Sequence, residues 1–365
     1  MGDDSTMPCS ITKRAAFPVL DYVKLIMALV VVEIHTKPLM SLGSTTVNCI
    51  IDGLDCVAVP FFFIASGFLC FKGLASKDFC EAESASSRRV RSTVKKLFRL
   101  YATWFFILLP LNLVGAFVSR QSAAGFLVSE LRGFLLVGSG VYSWPLWYLL
   151  ASVIGFTLVY LMLRKEVRPG LILVVSAITM LIGFAISCLH EWEWTPDAVS
   201  SIIDVYYLAF TNVRNGVFEG FFYIALGAYL GMHWNVVAGI RPAVSAAIAL
   251  VGAFGCIAVS HDAHLPFCVA FAVGLFFLSV HKVKSKSSNA AVAARNSSTI
   301  IYLVHMVFVV VCVYGILGWQ GIWSPTADYP HAFLFTFVLA CSIGVAVFVV
   351  LLSKRCQMIK RLFGI

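Results

Sequence analysis

DYVKLIMALVVVEIHTKP, residues 21–38, reads as a helix that crosses a membrane while carrying charge. Apolar residues fill almost all of it, yet Asp21 and Lys24 stand near one end and Glu33 and His35 near the other. Lys24 and His35 are eleven positions apart. At about 100° per residue that is three turns plus roughly 20°, so they share a face and lie roughly 16 Å apart along the axis. Asp21 falls near the same stripe, and Glu33 points away from it. A charge at the centre of a bilayer costs about 2.5–3.5 kcal/mol or more, so an ionisable residue there is a functional hypothesis by default. The shared stripe suggests a polar channel that holds an anion at the Lys24 end and does proton chemistry at the His35 end. The plainer alternatives are a Lys24 at the membrane interface paired with Asp21 three residues earlier, and an interfacial His35.

The rest of the chain supports a membrane setting. Of its 365 residues, 60% are hydrophobic and 12% charged, and the mean hydropathy is +0.91. A soluble domain would carry about 25% charged residues. The apolar runs do not alternate as the strands of a β-barrel would. Runs near the ~20 residues a span needs occur at 17–36, 55–73, 97–118, 144–163, 171–190, 217–233, 242–260, 264–281, 298–318 and 332–353. The expected fold is therefore all-α and polytopic, with about ten transmembrane helices. Residues 1–16 form an N-terminal segment, 17–353 a ten-helix transmembrane domain and 354–365 a basic tail. Lysines and arginines set the orientation, because cytoplasmic loops are enriched in them. Lys13, Arg14, the 88–99 cluster, Arg164, Lys165, Arg168, Lys282, Lys284, Lys286, Arg295 and the 354–361 cluster all fall on one side, with Lys37, Arg120, Arg132 and Arg214 on the other. Both termini are thus expected in the cytoplasm. The +9 net charge is mainly topogenic, and no nucleic-acid partner is needed to explain it. Met1-Gly2 also fits a loose N-myristoylation pattern.

Six of the eight tryptophans, Trp144, Trp147, Trp192, Trp194, Trp319 and Trp323, fall at outer helix ends or in outer loops. They read as an interfacial belt, or in part as a stacking floor for a sugar. The eleven cysteines are scattered, mostly inside apolar runs, without metal-ligand or CxxC spacing. They read as small buried hydrophobes, with a Cys49–Cys188 disulfide open but unsupported. No metal site, Gly-rich phosphate loop or nucleophile elbow is present.

The opening stretch resembles the first-helix signature of the acyltransferase-3 family of bacterial integral membrane proteins: a basic residue, ten residues, then histidine, with Asp three before the basic one. Lys24 stands where Arg is more frequent, which keeps the charge but loses the bidentate fork. Glu33 has no counterpart in that pattern. VPFFFIASGFL (59–69), VKKLFRLYATWFFILLP (94–110), PLWYLLA (145–151), NVRNGVFEGFFYIALGAYLG (212–231) and IIYLVHMV (300–307) resemble further stretches of the family, in order.

The resemblance implies transfer of an acyl group, usually acetyl, from acyl-CoA to an extracytoplasmic cell-envelope carbohydrate or similar acceptor, in the bacterial cell membrane. No bound cofactor is implied. Acyl-CoA is the donor, the glycan acceptor and the lipid bilayer are the other partners, and a separate extracytoplasmic partner stays open because 365 residues leave no room for a fused esterase-like domain. Lys24 is the candidate acyl-CoA-binding residue and His35 the candidate base or nucleophile. Asp21, Ser66, Trp147, Arg214, Glu219 and His305 are candidate site lining. Each has a plainer reading: helix packing for Ser66, anchoring for Arg214, pairing with Arg214 for Glu219, and an interhelical hydrogen bond for His305. A transporter without acyl chemistry is the competing class, followed by a structural subunit.

Overall fold

A computed structural model describes residues 16–40, 43–259, 265–283 and 287–365. Lys13, Arg14, Lys284, Lys286 and the Met1-Gly2 pattern lie outside the described residues. Those described are helical, with no strand among the elements. The helices are α1 (Pro18–Thr36), α2 (Thr45–Asp55), α3 (Ala58–Phe71), α4 (Ala85–Val118), α5 (Ala123–Arg132), α6 (Trp147–Arg164), α7 (Pro169–Glu191) and α8 (Asp197–Phe210). Then follow α9 (Phe221–Met232), α10 (Trp234–Ala238), α11 (Pro242–Ala258), α12 (Leu265–Val280), α13 (Asn289–Val310), α14 (His331–Ser353) and α15 (Gln357–Phe363).

Among the described residues, six helices are long and apolar enough to cross a membrane: Thr46–Phe71, Ala85–Val118, Trp144–Arg164, Pro169–Glu191, Asn289–Ile316 and His331–Ser353. Gly216–Met232, Pro242–Ala258 and Leu265–Val280 are apolar but shorter. The opening helix has the length but carries Asp21, Lys24 and Glu33. Its surroundings account for that composition. α1 packs against α3, α12, α13 and α14, and Leu20, Asp21, Met27, Ala28, Val31, Val32 and Thr36 are buried. Its charges therefore face other helices rather than lipid. By contrast, Leu171, Val174, Ile178, Leu181 and Ile182 on α7 are exposed. Their helical spacing makes one apolar stripe, as a lipid-facing helix requires.

Two helices begin well before their apolar runs. α4 starts at Ala85, where the Ser84 hydroxyl accepts a hydrogen bond from the Ser87 N–H (3.1 Å). α13 starts at Asn289, where Ser288 caps the Ala291 N–H (3.2 Å). A serine cap satisfies orphan N–H groups, so each helix extends through polar turns that hydropathy alone assigns to loops. The 88–99 basic cluster and Arg295 thus sit on helices that continue into the bundle. Residues 354–365, read from sequence as a tail, instead contain α15, which docks: the Trp104 indole N–H donates to the Leu362 carbonyl (2.9 Å), and Trp104 and Phe363 rings lie 5.2 Å apart. Small residues let α3 pack closely on α9. A Cβ added at Gly67 would stand 2.6 Å from the Ile224 carbonyl oxygen.

Candidate active site

Where α1 and α13 begin, a cavity of about 360 Å³ opens between helices. Lys24 from α1, Lys96 from α4 and Arg295 from α13 line it together with Ser66. The buried Asp21 carboxylate accepts a hydrogen bond from Ser287 (3.4 Å) and lies within reach of the Arg295 and Lys24 charges. Among the described residues, no ion pair within 4 Å joins Asp21 to Lys24. Three cations thus line this cavity, and Asp21 stands close to two of them. A second basic groove, of about 540 Å³, adjoins it along α4 through Arg88, Arg91, Lys95, Lys96 and Arg99. At its rim Arg91 pairs with the exposed Glu83 (2.9 Å). That hydrogen bond, with the guanidinium charge, holds the Glu83 carboxyl below its usual range.

Phe62, Tyr148 and Tyr302 close the cavity on the side toward the other end of α1. Their rings contact one another at 6.0, 6.5 and 5.8 Å. Ser66 and Tyr148 share a hydrogen bond of 3.1 Å, and the Tyr302 hydroxyl donates to the Pro145 carbonyl. Ser66 therefore lines the cavity while its neighbour Gly67 makes the close helix contact.

Beyond the three rings lies a pair of histidines. His35 and His305 stack with centroids 5.3 Å apart and planes at 28°, and Tyr302 is 6.3 Å from His305 on the cavity side. The His305 Nδ1 meets the Ile301 carbonyl at 3.1 Å. A carbonyl only accepts, so Nδ1 carries a proton, and in the neutral ring the lone pair falls on Nε2. That Nε2 and the His35 Nδ1 are both buried without a hydrogen-bond partner in the protein. An unpaired buried polar atom costs about 1–3 kcal/mol, a cost that persists where the atom is kept for a ligand or for chemistry. Trp144 stands 6.3 Å from His35 and 5.6 Å from Trp323. Trp323 is 2% exposed and bonds Tyr329, so it belongs to no surface belt. His331 of α14 holds the end of α1 by a 3.0 Å contact to the Thr36 carbonyl. Lys37, just past α1, pairs with Asp52 (2.5 Å) and Asp55 (3.4 Å) of α2. Burial pulls the Lys37 ammonium down, but the Asp52 hydrogen bond and the Asp55, Asp52 and Glu33 charges outweigh it and raise its pKa.

A third cavity, of about 190 Å³, lies at the His35 end and is lined by Trp147, Arg214, Glu219 and Asp55 among others. Glu219 sits in a π-helical turn, Gly216–Gly220, opened by the Asn215 side chain, which accepts from the Val217 and Phe218 N–H groups. Such turns re-aim side chains and recur at functional sites. Among the described residues, Arg214 and Glu219 form no ion pair within 4 Å. They face the cavity together rather than each other.

The eight candidates thus divide. Lys24 and Ser66 line the cationic cavity, with Asp21 close to the Lys24 charge. His35 joins His305, and Trp147, Arg214 and Glu219 line the far cavity. His35 itself lines neither cavity, so three aromatic rings interrupt the open stripe expected from sequence. Arg295, Tyr148 and Tyr302 join these candidates, and Trp144 stands beside His35. The sequence does carry a trace of Arg295's role: it precedes His305 by ten positions, much as Lys24 precedes His35 by eleven.

These features define a helical membrane protein with a cationic cavity and a stacked histidine pair on shared helices. The chain belongs to the acyltransferase-3 family, whose model, described as an acyltransferase domain, matches residues 17–350. It is also 27% identical over 219 residues to an amino-acid racemase of Enterococcus faecalis, covering 60% of this chain and 29% of that protein. With a serine/alanine racemase of Enterococcus gallinarum it shares 31% identity over 214 residues, 58% of this chain and 28% of the relative. The chain thus spans under a third of these curated relatives. No solved structure matches.

Proposed function

We propose that this protein is a membrane O-acyltransferase of the bacterial cell membrane. It moves an acyl group, acetyl in the simplest case, from cytoplasmic acyl-CoA to an extracytoplasmic envelope carbohydrate or a similar hydroxyl acceptor. The observation that carries this reading is the arrangement along α1 and α13, with a cationic cavity at one end and the histidine pair at the other. Family membership supports acyl chemistry. The lysine and arginine bias supports ten crossings, both termini in the cytoplasm, and the cationic end facing the cytoplasm.

Acyl-CoA is a polyanion on a long flexible arm. Lys24, Lys96 and Arg295 hold its phosphates by charge-assisted hydrogen bonds, and the arm threads between Phe62, Tyr148 and Tyr302 toward the histidines. A neutral histidine then takes the proton of the acceptor hydroxyl. The hydroxyl oxygen bonds to the thioester carbonyl carbon, the C–S bond breaks, and the thiolate recovers the proton. His35 is the assigned base; attack by its own ring nitrogen, with an acyl-imidazole intermediate, uses the same geometry. The test is incubation of the purified protein with labelled acetyl-CoA and envelope extract. Label in the acceptor that depends on His35 supports the proposal, and acyl-CoA binding without transfer to any fraction overturns it.

The names of the relatives favour a second reading. They are called racemases, and the shared portion is under a third of their length. A module that passes small molecules between two cavities suits that context without acyl transfer. Proteoliposomes that accumulate a solute with no label transferred would select it.

A further inference from the structure

Three cysteines far apart in sequence meet at the His35 end of the bundle. The Cys56 Sγ lies 3.5 Å from the Cys256 Sγ, and the Cys268 thiol donates to the Cys56 carbonyl at 3.3 Å. They come from the turn between α2 and α3, from the last turn of α11, and from the first turn of α12. The contact rests on backbone proximity. A Cβ added at Gly53, one turn before Cys56, would stand 2.7 Å from the Cys256 carbonyl oxygen. The 3.5 Å between the two sulfurs leaves only a small movement to the bonded geometry, in which the Cα atoms stand about 4.4–6.8 Å apart. Cys256 is buried, but Cys56 is only partly buried and lines the far cavity with Cys268, so a small thiol reagent has a route in.

We infer that Cys56 and Cys256 form a reversible disulfide that fastens α11 to the α2–α3 turn at the wall of the far cavity. The oxidant is a small-molecule or protein disulfide. The Cys56 thiolate attacks one sulfur of that disulfide, forming a mixed disulfide and releasing one thiol. The Cys256 thiolate then attacks the Cys56 sulfur, and the second thiol leaves. Two protein thiols are oxidised, one disulfide is reduced, and the two protons lost by the cysteines end on the released thiols. With the orientation proposed above, the cluster faces the oxidising side of the membrane, where disulfides persist. The disulfide itself requires neither that orientation nor acyl transfer.

The experiment uses the full chain in detergent, exposed to oxidised glutathione or dithiodipyridine. Remaining thiols are then alkylated, and the digest is analysed by mass spectrometry without reduction. A Cys56–Cys256 linked peptide that dithiothreitol removes is the expected result, with Tm rising by about a few degrees on oxidation because the closed loop is long. Cys256→Ala and Cys56→Ala each remove both the link and the Tm shift, while the reduced melting curve shows that the variant is folded. Recovery of both cysteines as alkylated thiols while the exposed Cys49 reacts overturns the inference, as does a link from Cys56 to Cys268 in place of Cys256.

Discussion

His35 and His305 stack 5.3 Å apart on two helices that run side by side in the same direction, and Lys24 and Arg295 of those helices line one cavity at the other end. Each helix thus carries a cation about 15–16 Å along its axis from a histidine. The pair of helices, more than either alone, constitutes the site.

The two histidines should both matter to chemistry and not to donor binding. His35→Ala is expected to lower acyl transfer by about 10²–10⁴-fold, the usual worth of a general base. His305→Ala should lower it too, because the Nε2 lone pair is lost, while His305→Gln, which keeps a polar group at that position, should recover part of the loss. Acceptor acetylation measured beside acyl-CoA binding checks this. Activity within a few-fold of the parent for His35→Ala would exclude it as base or nucleophile.

The cationic cavity should respond in the opposite way. Lys24→Ala and Arg295→Ala are each expected to weaken acyl-CoA binding by roughly tenfold or more, the worth of a charged hydrogen bond. Lys24→Arg should be tolerated. Affinity should also fall as salt rises. Titration calorimetry at two ionic strengths tests the assignment, and an unchanged affinity for Lys24→Ala would remove the phosphate-clamp role.

Transfer should fall at acid pH, once the histidine gains a proton. Imidazolium has no lone pair to take a proton, so the sign is fixed: activity is lost on the acid side and levels off above it. A pH–rate profile at saturating donor is the measurement. A profile that rises toward acid would reverse the assigned protonation state.

Reporter fusions at 120–140 and 320–328 should report the extracytoplasmic side, and fusions at 80–90 and 285–292 the cytoplasm. An inverted pattern at two or more of these sites would overturn the orientation and the direction of transfer with it.

Gly67→Ala should destabilise the bundle by about 1–3 kcal/mol, the typical cost of overpacking, because its methyl would meet the Ile224 carbonyl at 2.6 Å. The neighbouring Ser66→Ala should leave the melting temperature nearly unchanged and alter only the Tyr148 contact. Thermal unfolding of both variants in one detergent makes the comparison.

Much of this was legible in the sequence because helical geometry and hydropathy are local rules. The all-helical class and the family followed from residue order. Helix beginnings did not: the serines at 84 and 288 start helices in polar segments, which hydropathy treats as loop. Arg295 was therefore read as a topology signal, and its place beside Lys24 depends on α13 packing against α1, which no local pattern reports. The same holds for Phe62, Tyr148 and Tyr302, which come from three helices and meet only after folding. Trp323 fell in an outer loop as a belt residue would, but the loop folds inward and buries it.

The wrapping of α1 by α13 and α14 also bears on how the protein is made. α1 leaves the ribosome more than 250 residues before α13 begins, and it carries three charged residues that are poorly suited to lipid on its own. Until the late helices arrive, its polar stripe has to be sheltered by α3 or by the insertion machinery. Biogenesis of this protein is then a closing of the two ends of the chain upon each other. A chain truncated before α13 would leave the charged helix without its main neighbour, a target for membrane quality control before it could be a partly active enzyme.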